Sequence, residues 1–571
     1  MSKVTIKNGL VYDPLNKING EKIDISIENG KIVENNGGKV IDASGCIVFP
    51  GGVEIHAHIS GAKVNTGRSL RPEDHRKDPV ARTSVTRAGA GYSVPTTYVT
   101  SYRYAQMGYT TGAEPAVPLI KARHNIEEFG HMPILDWYQY PVFANNWYVL
   151  RCVAEKDIDM LAAYVSWIMK VTKGWAIKLV NPGGVENFGW GKNVDNLDDT
   201  VLHWEVSPRE IITALMKVNE KLGLPHSIHI HCNNLGHPGC SVVTKETFKL
   251  AKTVASGNKN RKATLHMTHV QFNAYGGTGW KDFCSDATAI AEYINQNDDV
   301  TFDVGQVGFA NTTTMTGDGP WEYSLSNLSA TTGWGSKGFV KWVNAQAEAE
   351  SGGGVVPYIF SSKSPVNAIQ WAIGMELLLS IKNMWQAGLT TDHPNGAPFT
   401  FYPHFFSLLM SKSARNEALS KVHSLAKERT TLGDIDRELT LEEIAIISRA
   451  GTAKNMGLSH KGHLGVGADG DVAIYRLSPE EKDAKKIEKA LSRAAYTIKS
   501  GNIVVKDGEV VATPMGKLSY LDITLPEKLS ADANAFIDKY WNQHYTIQKS
   551  NYIVKDSEVT NPNPISWTPK L

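Results

Sequence analysis

The first residues of the chain that could do chemistry are two histidines, His56 and His58, separated by one alanine at the end of an apolar run. Side chains alternate along a β-strand, so both imidazoles leave the strand end on the same side. Imidazole is a common ligand of divalent transition metals, and the pair could bind one ion. Among 18 histidines such a pair is as often accidental as functional, so its meaning depends on partners further along the chain.

A lysine inside an apolar strand is the second unusual feature. Lys178 lies in the stretch Trp175-Ala-Ile-Lys-Leu-Val180, where an unpaired ammonium is costly to bury. It must pair, reach solvent, shift its pKa or be chemically modified. Carboxylation by CO₂ would give an anionic carbamate that could bridge two metal ions. A lysine facing outward at a strand edge is equally compatible with this stretch.

Two later strand-like stretches each end in a histidine, His231 and His269. The carboxyl ends of the strands form the catalytic face of a parallel barrel, so these two are predicted metal ligands. His229 shares a face with His231 but lies two residues deeper, and His266 is expected on the face opposite His269. Both are interpreted as core or supporting histidines rather than ligands.

An aspartate completes the set. Asp392 follows a short apolar stretch and could ligate one metal ion while exchanging a proton with a bound water, as general base and then as acid. The alternative is an aspartate that caps the turn before Pro394. Six ligand-capable residues then arrive on predicted strands one, four, five, six and eight: His56, His58, Lys178, His231, His269 and Asp392. This order fits a two-metal site with ions ~3.5–4 Å apart and a bridging hydroxide near a carbonyl.

The elements that must position these residues are those of a parallel barrel. Between residues 49 and 455, strand-like and helical stretches alternate, which predicts a (β/α)8 TIM-like barrel. The predicted strands begin near residues 46, 109, 133, 175, 227, 264, 300 and 388. Residues 308–365 are interpreted as an insertion after strand seven that forms a lid, substrate wall or partner surface, because Trp321, Trp334 and Trp342 favour burial.

The two ends of the chain have a sequence pattern that differs from the strand–helix alternation of the barrel region. Short β-rich pieces separated by turns occupy residues 1–48 and 456–520, which predicts one small composite β-sandwich domain built from both ends. Residues 521–571 are interpreted as a peripheral tail that could dock on a neighbour.

Net charge, hydrophobic content and cysteine spacing exclude several classes of protein. A net charge of +1 argues against a nucleic-acid binder, and 42% hydrophobic with 20% charged residues is typical of soluble globular proteins. Five scattered cysteines without a C-x-x-C pair indicate a reducing cytoplasm and neither disulfides nor an iron–sulfur cluster. The first residues lack a secretory apolar region, and the most apolar later stretch, 368–381, is too short to span a membrane.

The residue set resembles the amidohydrolase superfamily, in which a barrel with a composite β-sandwich carries H-x-H, a carboxylated lysine, two histidines and an aspartate. Glu54, where many members have aspartate, departs from the pattern and is expected to change ligand support rather than the metal count. Across essentially the whole chain the sequence is similar to the family of formylmethanofuran dehydrogenase A subunits. The resemblance rests on the strings His56-Ala-His-Ile-Ser-Gly-Ala-Lys-Val-Asn65, Arg71-Pro-Glu-Asp-His-Arg76, Lys178-Leu-Val-Asn-Pro-Gly-Gly184, His231-Cys-Asn-Asn-Leu-Gly-His-Pro-Gly239 and Thr391-Asp-His-Pro-Asn-Gly396.

This resemblance implies an activity and partners. Two zinc ions bridged by carboxylated Lys178 would join formate to the amine of methanofuran, and catalyse the reverse, with Asp392 moving the proton. The formate would come from CO₂ in a tungsten- or molybdenum-pterin partner that works with iron–sulfur subunits in methanogenic one-carbon metabolism. The chain itself shows no redox-cofactor motif. A cytoplasmic complex without nucleic acid or membrane span is expected.

Substrate contacts are a further expectation. Methanofuran is expected from the family to carry carboxylates, and the loop after the first ligand strand offers Arg68, Arg71 and Arg76, with Asn233 near the later ligands. A solvated loop whose arginines are balanced by neighbouring acidic residues is equally compatible. Three other functions stay open: the homologous subunit of a formyltransferase/hydrolase complex, a cyclic-amide hydrolase of the dihydropyrimidinase type, and a non-catalytic scaffold protein.

Overall fold

A closed barrel of parallel strands forms the centre of the computed structural model, which describes residues 3–35, 37–89, 91–331, 343–345 and 353–569. In this part of the chain, barrel strands 1 to 8 are Gly52–Glu54, Tyr109–Val117, Asp136–Pro141, Lys178–Val180, Ile228–His231, Leu265–Met267, Val300–Asp303 and Ala387–Gly388. Strands 1–3 and strands 4–8 pair in sequence order. Parallel bridges Val142↔Lys178 and Ala57↔His393 join the two groups. The predicted (β/α)8 fold is confirmed.

The first and last strands differ from their predicted positions. The run predicted as strand one, Cys46 to Phe49, lies in the strand Ile47–Pro50, which pairs with Val472–Tyr475 outside the barrel. The chain enters the barrel only at Gly52. A β-carbon at Gly51 or Gly52 would collide with side chains of barrel strand 2, so only glycine allows this close approach. Barrel strand 8 ends at Gly388, which leaves Asp392 in the loop beyond it.

Helices surround the barrel, and their termini follow from local sequence. In Pro208–Leu222 the Ser207 side chain forms a capping box with Glu210, and Gly223 ends the helix with a φ of 60°. In the part of the chain that the structure describes, the other helices of eight or more residues are Ala62–Leu70, Thr97–Gln106, Ala122–Phe129, Trp147–Ala154, Ile158–Val171, Ser241–Leu250, Ala287–Asn295, Gly319–Thr331, Pro365–Ser380, Tyr402–Leu409, Lys412–Lys421, Ala484–Ser492 and Glu527–His544. Within the described residues, none of the helices has the length and apolar character needed to cross a membrane.

Segments from both ends of the chain form a small β domain. One sheet joins the strands Leu10–Asp13, Ile18–Lys22, Ile47–Pro50, Val472–Tyr475, Tyr496–Lys499, Asn502–Lys506 and Glu509–Val510. A second sheet contains Val4–Lys7, Ile25–Glu28, Lys31–Val33 and Lys39–Asp42. Side chains of both sheets, among them Ile27 and Val472, share one buried cluster. The composite character of this domain is confirmed, whereas its bounds at 1–48 and 456–520 stay predictions.

A buried ion cluster attaches the β domain to the barrel. The Lys499 Nζ lies 2.6 Å from Asp136 Oδ2 and 2.9 Å from Asp471 Oδ2, and Lys461 Nζ lies 2.7 Å from the same Asp471 oxygen. Asp136 is the first residue of barrel strand 3. Both lysines contact both aspartates, so the buried charges are shared between the β domain and barrel strand 3.

The insertion and the tail both pack on the barrel. Within 308–365 lie the strands Asn311–Thr316, Val343–Ala345 and Gly353–Ile359 and the helix Gly319–Thr331. Trp321 is buried, whereas Trp334 and Trp342 lie outside the described residues. The predicted tail boundary at 521 falls inside the strand Leu518–Ile523, which pairs with barrel strand 3 and with the strand Pro562–Trp567.

Candidate metal centre

The first two predicted ligands meet the last one at the barrel mouth. The Nε2 atoms of His56 and His58 lie 2.9 and 3.2 Å from the same oxygen, Oδ1 of Asp392. The backbone of Asp392 is left-handed, with a φ of 49°, and the Asn395 Nδ2 donates to its other oxygen, Oδ2, at 2.9 Å. The turn beyond barrel strand 8 therefore directs one carboxylate oxygen at both imidazoles.

Lys178 lies at the start of barrel strand 4 and is 1% exposed. Burial lowers the pKa of its ammonium to about 7, against the opposing influence of Asp303 and Asp392. After burial itself, the charge of Lys178 is the largest cause that lowers the pKa of His56. A substantial fraction of this amine is therefore neutral at neutral pH.

His231 and His269 complete the group. Their ring centroids lie 4.7 Å apart, and the His269 ring lies 5.5 Å from that of His56. His269 follows the end of barrel strand 6 with a φ of 40°, and its backbone N–H donates to Asp303 Oδ1 at 2.8 Å. The structure thus brings five predicted ligands, at or just beyond the carboxyl ends of barrel strands 1, 5, 6 and 8, into one group. Lys178 is close enough to lower the pKa values of His56 and His269.

The chemistry of these side chains fits a divalent metal. Four of their buried atoms form no hydrogen bond with the described residues, although two of them, His56 Nε2 and Asp392 Oδ1, lie 2.9 Å apart: His56 Nε2, Lys178 Nζ, His269 Nδ1 and Asp392 Oδ1. Buried polar atoms nearly always have a partner, so four exceptions at one barrel mouth need an explanation. Ligand atoms of His56, His269 and Asp392 lie within 4.8 Å of one another. Imidazole nitrogen and carboxylate oxygen are ligands that suit zinc.

Sequence reasoning missed Glu114, a fully buried residue of barrel strand 2. Its Oε1 lies 3.1 Å from His58 Nδ1 and 3.2 Å from Lys63 Nζ, and its Oε2 accepts from two backbone N–H groups. Burial alone would raise the pKa of Glu114, but Lys63 and His58 lower it to about 2. The signal that singles out Lys178, a charged residue in a buried strand, could also have identified Glu114.

Glu54 holds the backbone of His56, the first predicted ligand, by a hydrogen bond. Its Oε1 accepts from the His56 backbone N–H at 3.0 Å, and its Oε2 accepts from the hydroxyl groups of Tyr104 and Tyr402. Burial raises the pKa of this carboxyl to about 8.

His229 and His266 lie deeper in the barrel, in a stacked pair with ring centroids 4.7 Å apart. The His229 Nε2 lies 2.8 Å from His56 Nδ1, and the His266 Nε2 lies 3.1 Å from Asp303 Oδ2. The expectation that His266 and His269 face opposite sides of a strand is wrong. Barrel strand 6 ends at Met267, so strict alternation does not continue to His269, and both rings lie inside the barrel.

A second missed carboxylate comes from the insertion. The Asp318 Oδ2 lies 2.9 Å from His231 Nε2, and its Oδ1 accepts from Asn181 Nδ2 at 3.0 Å and from the Trp321 N–H at 3.1 Å. Because this contact depends on how the insertion folds over the barrel, no sequence period could have revealed it.

The space above the predicted ligands is small and has mostly apolar walls. A cavity between the barrel and the insertion is lined by His231, Leu235, His269, Phe272, Thr314, Thr316, Trp321, Leu325, Phe360, Asp392 and Asn395. Such walls exclude water and strengthen electrostatic interactions inside. The cavity reaches Asp392 together with His231 and His269.

Most of the predicted substrate residues have structural contacts. The Arg68 Nη1 donates to Glu128 Oε1 at 2.8 Å, and Arg71 is buried with its Nη1 donating to the Thr312 carbonyl at 3.3 Å. The Asn233 Nδ2 donates to Asn181 Oδ1 at 2.8 Å. Arg76 is exposed. Arg68 and Arg71 are therefore balanced by Glu128 and Glu73, as the alternative expected for charge, but Arg71 is buried rather than solvated.

Comparison with known proteins gives a consistent result. Residues 39–505 match the model of the Amidohydrolase family. The chain is 52% identical over 557 residues to Protein FwdA of Methanocaldococcus jannaschii, with 96% of each chain covered. It is 35% identical over 525 residues to a component of the formyltransferase/hydrolase complex Fhc of Methylorubrum extorquens, with 90% of each covered.

The fold is similar to a chain in the crystal structure of the formyltransferase/hydrolase complex from Methylorubrum extorquens in complex with methylofuran. The TM-score is 0.89 at 32% identity, and the match covers 99% of this chain and 100% of that chain. Barrel, β domain, insertion and tail therefore all lie within the compared region.

Proposed function

The chain belongs to the amidohydrolase family, and from this membership we propose that it is the formyl-amide hydrolase and condensing subunit of a formylmethanofuran dehydrogenase. It would join formate to the primary amine of methanofuran and catalyse the reverse reaction. The relationship to FwdA over 96% of both chains supports this choice within a family of varied substrates.

The observation that carries the proposal is the set of four buried atoms without hydrogen-bond partners, among the described residues, on His56, Lys178, His269 and Asp392. We assign two zinc ions to these residues together with His58 and His231. Bound zinc would polarise the formyl oxygen and activate a water molecule. A Lys178 pKa of about 7 supports the bridging carbamate, because a neutral amine is the form that adds CO₂.

The side chains then have defined tasks in hydrolysis. Water adds to the formyl carbon, and the Oδ1 of Asp392 takes a proton from it. The same carboxyl gives the proton to the amine nitrogen as the carbon–nitrogen bond breaks, which yields formate and the free amine of methanofuran. Condensation follows the reverse path and releases water. The hydrogen bond from Asn395 to Oδ2 supports this role, since it leaves Oδ1 facing the site.

The proposal also assigns partners. Reduction of CO₂ to formate requires redox chemistry, which we attribute to tungsten- or molybdenum-pterin and iron–sulfur subunits of a cytoplasmic complex. The chain would use no redox cofactor of its own. Membership of a formyltransferase/hydrolase complex is the second candidate, favoured by 35% identity to the Fhc component and by the TM-score of 0.89.

The first experiment measures zinc per full-length chain purified without chelators, followed by formate release from formylmethanofuran. We expect about two zinc ions per chain, loss of metal in Lys178→Ala, and no change in Lys217→Ala, which alters an exposed helical lysine. Release of formate without bound metal would contradict the proposal. Whether the purified complex then consumes CO₂ separates the dehydrogenase from the formyltransferase/hydrolase assignment.

A further inference from the structure

Three buried histidines form a continuous chain of hydrogen bonds along the inside of the barrel. The His226 Nδ1 contacts the carbonyl oxygen of Asn455, and the His226 Nε2 lies 3.0 Å from His229 Nδ1. The His229 Nε2 lies 2.8 Å from His56 Nδ1. All three rings are at most 1% exposed. This histidine chain connects a backbone carbonyl near the amino ends of the barrel strands to the predicted metal centre at their carboxyl ends.

The carbonyl fixes the direction of every hydrogen bond in the histidine chain. A carbonyl oxygen can only accept, so His226 must carry its proton on Nδ1. In a neutral imidazole the other nitrogen is then an acceptor, so His226 Nε2 accepts from His229 Nδ1–H. By the same rule, His229 Nε2 accepts from His56 Nδ1–H. The last consequence is that His56 Nε2 carries a lone pair.

A neutral imidazole has one donor and one acceptor, and burial favours this state for His226, the first ring of the histidine chain. An imidazolium at His226 would lose its hydration, and the contacts of this ring are to the Asn455 carbonyl and to other aromatic rings rather than to a carboxylate. Burial lowers the pKa of His226 well below its usual range, and the nearby His266 lowers it further. Thr268 is compatible with the same direction, since its Oγ1 lies 2.6 Å from His56 Nδ1 and can accept from it.

His266, whose ring stacks on that of His229, has different hydrogen-bond partners and therefore a different tautomer. The His266 Nε2 lies 3.1 Å from the Asp303 carboxylate, which accepts, and its Nδ1 lies 2.9 Å from the Thr301 hydroxyl. His266 must therefore carry its proton on Nε2. Two stacked histidines, His229 and His266, are thus expected to hold opposite tautomers.

We propose that His226 and His229 are positioning residues that set the tautomer of His56, so that its Nε2 lone pair faces the barrel mouth before any metal binds. The carbonyl of Asn455, at the end of the helix Gly451–Asn455, is the first acceptor of the histidine chain. Such a carbonyl lacks a partner within its own helix, so His226 also satisfies the helix end. The inference rests on the proposed function and deepens it, because a preset lone pair removes one cost of metal binding.

The direct test is nuclear magnetic resonance of the full-length, metal-free chain labelled with ¹⁵N-histidine, with resonances assigned by single substitutions. We expect the Nδ1–H form for His226, His229 and His56 and the Nε2–H form for His266. The Nε2–H form of His56 in the wild-type chain would overturn the proposal, and this measurement needs no variant to fold.

A pair of variants tests the influence on metal binding. His226→Phe keeps a ring in place but removes the acceptor for His229 Nδ1–H. We expect His56 to lose its single tautomer and the affinity for zinc to fall about 10- to 100-fold, as for other partners of metal ligands. Tyr140→Phe is the matched control, because its ring packs against His226 and His229 while its hydroxyl has no partner among the described residues.

The outcomes separate this proposal from the proposed function. An unchanged His56 tautomer and zinc affinity in folded His226→Phe would overturn the role of the histidine chain, even if two zinc ions bind. Conversely, the predicted tautomers in a wild-type chain that binds no zinc would contradict the dizinc assignment while leaving the direction of the histidine chain intact.

Discussion

The Asp318 Oδ2 lies 2.9 Å from His231 Nε2, so a residue of the insertion touches a predicted ligand of the barrel. Asp318 is also held by Asn181 and precedes the helix that carries Trp321 over the cavity. The insertion therefore orients an imidazole of the site as well as covering it. Partners of this kind fix the ring of a metal-binding histidine and raise its basicity.

Replacing Asp318 by alanine is expected to lower kcat/KM for formate release about 10- to 100-fold, because His231 loses the contact that orients it. Zinc affinity should fall in parallel, and the metal-free chain should also lose stability, because Asn181 Nδ2 and the Trp321 N–H lose their acceptor. Asp282→Ala is a suitable control, since this exposed aspartate caps a loop near Thr278. Equal activity of Asp318→Ala and the wild type would show that the contact has no functional role.

Asp392 should carry the proton in either direction of the reaction. Asp392→Asn removes the base, and general acid–base catalysis typically contributes about 100- to 10,000-fold. We expect a loss of kcat in that range, measured with formylmethanofuran in the presence of saturating zinc. Asn395→Ala, which frees Oδ2 but keeps the carboxylate, should cost less. A larger loss in Asn395→Ala than in Asp392→Asn would contradict the assignment.

Much of the centre could be predicted because its residues follow strand ends. His56, His58, His231 and His269 come directly after or at the end of β-rich runs, and parallel strands bring such positions to one face. Asp392 lies four residues beyond its strand, yet the loop returns it to the mouth. The fold class followed from the same alternation of strands and helices.

The remainder depends on tertiary packing that leaves no local pattern. Asp318 reaches the site only because the insertion folds back, and Glu114 meets His58 only because barrel strands 1 and 2 pair in a particular register. The error for His266 has a local cause, since the left-handed backbone at His269 interrupts the alternation. The spacing of residues in the sequence predicts the side to which a side chain points only as far as the strand continues.

The Glu114 carboxylate should stabilise the fold through its buried contacts with Lys63 and His58. Glu114→Gln leaves Lys63 unpaired, and breaking a buried ion pair costs about 3–5 kcal/mol. Urea unfolding of the metal-free chain at pH 7 would measure this loss. Glu127→Gln, at an exposed position of the helix Ala122–Phe129, is the control and should be neutral.

The pH dependence gives an independent check on Glu114. Its pKa is about 2 in the folded chain, below the value of about 4.3 for unfolded glutamate. The carboxylate therefore contributes stability above about pH 4.3, and this contribution is lost as pH falls towards 2. The difference in unfolding free energy between wild type and Glu114→Gln should shrink over this interval. A constant difference would contradict the lowered pKa.

Lys178 should also make the stability of the metal-free chain rise with pH, but over a higher pH interval than Glu114. Its pKa is about 7 when folded and about 10.4 when unfolded. Between these values the unfolded chain binds the extra proton, so stability rises with pH by up to about 1.4 kcal/mol per unit.

Lys178→Met should remove this slope and stabilise the metal-free chain at pH 7, because a methionine has no charge to bury. Urea unfolding from pH 7 to 10, in buffers free of CO₂ and metal, measures both effects. Lys217→Met, at an exposed helical position, should retain the wild-type slope. If the slope persists in Lys178→Met, the amine of Lys178 is charged in the folded chain and cannot be the neutral group that the carbamate requires.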